Sequence, residues 1–222
     1  MLSSGSSEFE QSKVRSDRFN GVKAFSAELF LRQLTDDTEF DSLRLGVQAF
    51  TSDYRGFLFA DEPFGIRLFG TRFNNTIQYN LAWFRRFEKN TNSGLNDFSA
   101  GLRKDDVFVA NFYWQDFLVE GLSSQFSFTY NLNSEKGGVV NDDNGYLVRP
   151  SPIFEAQSAR EYKVSYLGWS NDGHIDKINL SSSLYYAFGS GTSEVTESEV
   201  NSISALFFAI ETSYDIDWIR LR

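Results

Sequence analysis

Cysteine is absent from this 222-residue chain, histidine and methionine occur once each, and there are three prolines. The first absence excludes disulfide scaffolds, thiol catalysis and thiolate-bound zinc. Long apolar runs are also lacking. The longest clean one, Ala205 to Ile210, is far below the roughly 20 residues of a spanning helix, which excludes a helical membrane protein. Positive charge is in deficit, with 21 Lys and Arg against 30 Asp and Glu for a net −9, so a nucleic-acid partner is not expected. Heptads are missing, and with them a coiled coil.

Aromatic residues are abundant at 17% of the chain, with 23 Phe, 10 Tyr and 4 Trp, yet the mean hydropathy is −0.35. The apolar side chains are therefore interleaved with polar ones, and the interleaving has period two. Ile77, Tyr79, Leu81 and Trp83 alternate with Thr76, Gln78 and Asn80, and Arg86 keeps the polar parity. Ile178, Leu180, Leu184, Tyr186 and Phe188 alternate with Lys177, Asn179, Ser181 and Ser183. Phe126, Phe128 and Tyr130 alternate with Gln125, Ser127, Thr129 and Asn131, while Leu43, Leu45, Val47 and Ala49 alternate with Arg44, Gly46 and Gln48. Each is a strand with one greasy and one wet face. Further strands are expected near 22–32, 55–60, 64–71, 105–119, 160–170, 202–212 and 216–222. Pro63, Pro150 and Pro152 all fall in connections, where a missing amide donor costs no ladder bond.

Connection lengths suggest which end is which. Longer connections are expected near 33–41, 88–104, 132–159 and 189–201, with a short exception at 61–63. Tight turns are expected near 51–54, 72–75, 120–122, 171–174 and 213–215. Loops long at one end and tight at the other suit an outer-membrane barrel, whose long loops face outside and whose turns face the periplasm. A soluble β-sandwich has no reason to sort its loops by end. The wet faces are also rich in Ser, Asn and Gln, where plain solvent contact favours Lys and Glu. The fold expected is all-β: an antiparallel up-and-down transmembrane β-barrel, incomplete, with about 10–12 strands of a larger barrel. Residues 1–20 form a polar segment, expected to be disordered and without the apolar core of a signal peptide; the barrel spans 21–222.

Several short motifs follow one another in a set order: Arg55-Gly56-Phe57-Leu58-Phe59-Ala60-Asp61, Gly65-Ile66-Arg67-Leu68-Phe69-Gly70 and Gln78-Tyr79-Asn80-Leu81-Ala82-Trp83-Phe84. Lys89-Asn90-Thr91-Asn92-Ser93-Gly94-Leu95-Asn96, Gln115-Asp116-Phe117, Asp172-Gly173-His174-Ile175 and Asp217-Trp218-Ile219-Arg220 come after them. Over residues 20–222 this order resembles a large, mostly uncharacterised family of proteobacterial outer-membrane β-barrels, related in style to porins and alginate-export barrels. The resemblance implies Gram-negative outer-membrane location, contact with membrane lipid and lipopolysaccharide, and a porin-like transport role. Members of that family are longer, so the expectation is one part of a barrel. The last residues, Leu221-Arg222, fit that expectation because such barrels commonly close on an aromatic residue. The count of strands is odd, which means either that strands are missing or that the count is out by one.

Catalysis finds little support, and no enzyme is expected. His174 lies beside Asp172-Gly173 in an expected turn, where a solvated histidine is the ordinary outcome. Gly189-Ser190-Gly191 lacks nucleophile-elbow spacing, and phosphate-cradling loops are absent. No cofactor is implied. Arg44, Arg67, Arg86, Lys163 and Lys177 all take lumen parity, the first four in the outward half. Cations inside a narrow low-dielectric pore favour anionic solutes, so passage of anionic or small polar solutes is one expectation. Bracing of the wall by ion pairs with Glu28 or loop carboxylates is the other. Tyr79 and Trp114 take lipid parity near the periplasmic boundary, as interfacial aromatics do. Trp169 reads as pointing inward, against Tyr162 and Tyr166, unless a bulge re-aims it or the register of that strand is shifted. Carboxylates gather in loops at Asp36, Asp37, Glu39 and Asp41, at Asp61 and Glu62, at Asp142 and Asp143, and at Glu194, Glu197 and Glu199. Without EF-hand spacing they read as a solvated acidic surface, with no metal site. Two rival readings remain: a soluble extracellular β-sandwich that binds carbohydrate through exposed aromatics, and a plugged, non-conducting outer-membrane scaffold.

Overall fold

The computed structural model describes residues 23–34, 39–90, 93–135, 161–192, 200–216 and 219–221. The expected disorder of residues 1–20 and the acidic positions Asp36, Asp37, Asp142, Asp143, Glu194, Glu197 and Glu199 lie outside them. Twelve strands are present among the described residues: β1 (Phe25–Gln33), β2 (Phe40–Val47), β3 (Phe50–Thr51), β4 (Ala60–Asp61), β5 (Phe64–Arg72), β6 (Ile77–Phe87), β7 (Leu102–Gln115), β8 (Leu122–Ser134), β9 (Glu161–Ile175), β10 (Ile178–Thr192), β11 (Val200–Ile216) and β12 (Ile219–Leu221). Ten form a single antiparallel sheet in chain order, β1-β2-β5-β6-β7-β8-β9-β10-β11-β12, and β3 pairs only with β4. The sheet is up-and-down throughout. β1 and β12 are not paired with each other, so the barrel is not closed.

The period-two pattern has a direct consequence in the register. Leu29, Leu43, Leu68, Leu81, Ala110, Phe128, Leu167, Tyr186 and Leu206 are successive cross-strand partners, one from each strand from β1 to β11 of the large sheet. This apolar row lies on the open face: Leu81 is 50% exposed, Phe128 41% and Leu206 70%. The row above it contains Leu45, Ile66, Trp83, Phe108, Tyr130 and Phe188, and the row below Tyr79, Phe112, Phe126, Trp169, Leu184 and Phe208. The rows flanking these three are mixed: Arg72, Ser124, Asn171 and Ser182 stand with Ile77, Trp114 and Ile210 on the tight-turn side, and Arg85, Asp106, Lys163 and Ser190 with Phe64 and Leu132 on the other. From Ser182 to Ser190 along β10 is roughly 26 Å at about 3.3 Å per residue. A strand tilt of about 40° reduces this to about 20 Å, close to the apolar band of a membrane barrel.

The opposite face inverts the usual order of burial. Its buried side chains include Gln125, Asn111, Ser127, Thr129, Asn133, Ser170, Ser181 and Ser183. The apolar cluster there is small: Phe50, Phe59, Phe84, Val107 and Val109, with Ala82 against it. A sandwich core would need the Leu81 row to be covered by a second sheet. The only second sheet among the described residues is the β3–β4 hairpin, which lies on the polar face.

Three expectations are corrected. Residues 55–60 are not a strand of the sheet. They belong to the connection 48–63 between β2 and β5, which carries the hairpin. Removing that strand makes the main sheet ten-stranded and moves the 33–41 connection to the tight-turn end, together with 73–76, 116–121 and 176–177. The connections 48–63, 88–101, 135–160 and 193–199 share the other end, and the short exception at 61–63 disappears. Trp169 points outward: it is the partner of Phe126 and Leu184, and its ring stacks on Phe126 at 6.4 Å. Tyr162 and Tyr166 take the inner parity, opposite Asn133 and Thr129. No bulge is involved; the whole strand is one residue out of phase with the expected alternation.

Candidate functional site

The polar face is occupied by the connection between β2 and β5. Its root is tied to the sheet where Gln48 N donates to Pro63 O at 3.1 Å and the Gln48 carboxamide donates to Gly65 O at 3.3 Å. Phe50 and Phe59 then pack on Phe84 of β6, with ring centroids 4.8 and 6.0 Å away. Phe84 is fully buried. Gly65, its partner on β5, lets that ring lie close, since a Cβ there would fall 2.5 Å from the Phe84 ring and 2.2 Å from Trp83 O.

Beyond the hairpin the chain turns on Asp53. Its carboxylate accepts from the amides of Arg55, Phe57 and Leu58 at 2.9, 3.1 and 3.1 Å, an arrangement that fixes a tight turn without help from the sheet. Gly56 supplies the left-handed residue the turn requires, at φ +71°. The Ser52 carbonyl accepts from Asn111 of β7 at 2.7 Å and from Gln125 of β8 at 2.6 Å. At the tip, Arg55 donates to Ser181 Oγ of β10 at 3.1 Å and to Glu211 of β11 at 2.9 Å. Phe57 packs on Phe207 at 5.2 Å and Tyr54 on Tyr113 at 5.8 Å. Burial pushes the Tyr54 phenol up, and nearby Tyr113 and Asp172 add to the shift.

One loop thus touches β6, β7, β8, β10 and β11, and the sheet must wrap around it. The loop enters from the long-loop end, and its tip reaches strand positions near the tight turns. Arg55, Asp172, His174, Asn179, Ser181 and Glu211 line a polar cavity of about 370 Å³ there. Its mixed charge and amide lining suits a hydrated polar solute better than an apolar one.

Of the five basic residues expected to line a lumen, three are on the inner face. Arg44 pairs with Glu28 at 2.5 Å. Arg86 pairs with Asp61 at 3.1 Å and Asp105 at 3.4 Å. Arg67 makes no ion pair among the described residues; its guanidinium lies over the Phe69 and Phe50 rings at 4.4 and 5.5 Å. Lys163 is corrected: it faces Leu132 across the β8–β9 register and is exposed on the apolar face, by the same phase error as Trp169. Lys177 is corrected as well, since it sits in the β9–β10 turn and not on a strand. Tyr79 and Trp114 are on the outward face at the tight-turn end. Tyr79 donates to Asp41, which also takes Arg72 at 2.7 Å and Arg32 at 2.6 Å. Asp41 is therefore a strand residue in an ion cluster, not part of a solvated acidic loop. Asp61 is likewise held, by Arg86 and by Lys89 at 2.6 Å. No group of His, Asp and Glu among the described residues is arranged to hold a metal ion.

The inward loop itself escaped the sequence reading. Its available signals were Asp53 three residues before Gly56, and Pro63 at the return. Compared with protein-family models and with curated proteins, the chain matches none.

Proposed function

We propose that the chain is part of an outer-membrane transport barrel whose lumen carries small polar solutes past the inward loop 48–63. The observation that carries this reading is the unbroken outward apolar row from Leu29 to Leu206, backed by a face of buried amides and hydroxyls. In hydrocarbon that polarity is the favourable one, and in water it is not. The sorting of connections by end supports the same reading. The root of the loop fills the space over β6 and β7, whereas the inner face of β10 and β11 carries the small pairs Ala187–Ala205 and Ser183–Ala209 on either side of the Tyr185–Phe207 stack that Phe57 covers. Solutes would pass along that side.

The charge preference narrows. Arg44 and Arg86 are neutralised by their partners, so a bias toward anions rests on Arg67. A non-conducting scaffold is the second reading, favoured by the reach of the loop tip to β10 and β11. Heat-modifiable gel mobility of the full-length protein tests the barrel, and liposome swelling with small sugars and amino acids separates conduit from scaffold. Swelling no faster than that of empty liposomes would reject the transport role.

A further inference from the structure

The outward apolar row has one small member. Every partner in it from Leu29 to Leu206 is bulky except Ala110. Over that alanine lies a groove of about 400 Å³, bounded by Leu68, Leu81, Trp83, Phe108 and Phe128. Directly above Trp83 and Phe108, toward the long-loop end, come Arg85 and Asp106, which face each other across β6 and β7. Lys163 is in the same cross-strand row, and Lys104 lies two residues beyond Asp106 on the same face.

We propose that this surface binds a phosphorylated lipid, with its head group on Arg85, Lys104 and Lys163 and one acyl chain in the groove over Ala110. The proposal rests on the membrane reading above. Lys104 and Lys163 are exposed and make no ion pair among the described residues. Arg85 commits Nε and Nη2 to Asp106 at 2.9 and 2.6 Å, which neutralises that acid and leaves Nη1 available. Trp83 Nε1 also donates to Asp106, at 3.0 Å, so the guanidinium is fixed in place. At this end of the face the other acid among the described residues is Glu161, opposite Ser134. Arg85, Lys104 and Lys163 against Asp106 and Glu161 leave one positive charge in excess. A phosphate oxygen array suits several convergent cationic donors, and a basic residue near a membrane surface contributes favourably to anionic-lipid binding. Free phosphate would satisfy the donors but has no use for a greasy slot directly beneath them. A lipid uses both.

Native mass spectrometry of the full-length protein in neutral detergent, with lipid A, phosphatidylglycerol and a dephosphorylated lipid A as probes, tests this. The two phosphorylated acidic lipids should stay bound and the dephosphorylated one should not. The double substitution Lys104→Gln with Lys163→Gln should weaken binding about 10- to 30-fold. Ala110→Leu, which fills the groove and leaves the cations intact, should weaken it too, and millimolar inorganic phosphate should not compete. Equal binding by the parent and both variants, equal binding of the dephosphorylated lipid, or full competition by phosphate would each overturn the site. Bilayer insertion and heat-modifiable mobility are recorded on the same samples. Insertion without lipid preference overturns the site alone, whereas failure of the parent to insert overturns the membrane reading with it.

Discussion

Arg55 donates to the Glu211 carboxylate at 2.9 Å across 156 residues of sequence, joining the tip of the inward loop to the penultimate strand of the sheet. Few contacts in the protein close so long a loop, and this one crosses the space through which solute would move. Both partners are more than a third exposed, so the pair contributes less than about 1 kcal/mol to stability. Its effect is on position. Arg55→Ala should therefore leave the thermal unfolding midpoint nearly unchanged and raise the liposome swelling rate. Unchanged swelling would mean that the tip does not define the passage.

The root of the loop behaves differently. Phe84 is fully buried between Phe50, Phe59 and the sheet. Phe84→Ala should cost about 3–5 kcal/mol, the usual range for a buried phenylalanine. Urea unfolding followed by tryptophan fluorescence would measure it. A loss below about 1 kcal/mol would show that the loop packs there only loosely.

How much of this was legible in the sequence follows from where period two was undisturbed. β6, β8 and β10 each keep Leu or aromatic residues on one parity and amides or hydroxyls on the other, so their faces could be read directly. β9 misled because its inner face carries Tyr162, Val164 and Tyr166, which look greasy, while Lys163 and Ser165 sit on the outward parity. One phase error there displaced both Lys163 and Trp169. The segment Arg55-Gly56-Phe57-Leu58-Phe59-Ala60 misled for another reason. Its aromatic content matches a strand, but Asp53 captures three of its amides before any neighbour can pair with them. Local side-chain bonding outcompeted the ladder, and nothing in a two-residue alternation reports that.

Acid should loosen the loop from its root. Burial acts to raise the Asp61 carboxyl, but the Lys89 hydrogen bond, the charges of Arg86 and Lys89 and the Glu62 amide outweigh it and hold Asp61 below the usual carboxylate range. A carboxyl with a depressed folded value contributes stability that is fully present above its unfolded value, about 4, and is lost as pH falls through the folded one. Swelling measured at pH 7 and at pH 3 should show a more open pore at the lower pH. Asp61→Asn should be more open already at pH 7 and respond less to acid. An unaltered acid response in that variant would place the titrating group elsewhere.

The outward row makes its own demand. Leu81 is half exposed, so an aqueous surface would accept Leu81→Arg with little change. In the middle of a bilayer the same substitution should cost about 2–4 kcal/mol and lower the yield of heat-modifiable protein. Arginine accepted at that position without loss would argue against a lipid-facing row.

This chain has no cysteine, so single cysteines at positions 80, 81, 127 and 128 are unique within it, and any cysteine elsewhere in the full-length protein is first replaced by serine. Bimane attached at each, in bilayers containing lipids brominated along the acyl chain, reads contact with hydrocarbon directly. Strong quenching at 81 and 128 with little at 80 and 127 is the result this account predicts. Equal quenching at all four positions, or quenching at none, would contradict it.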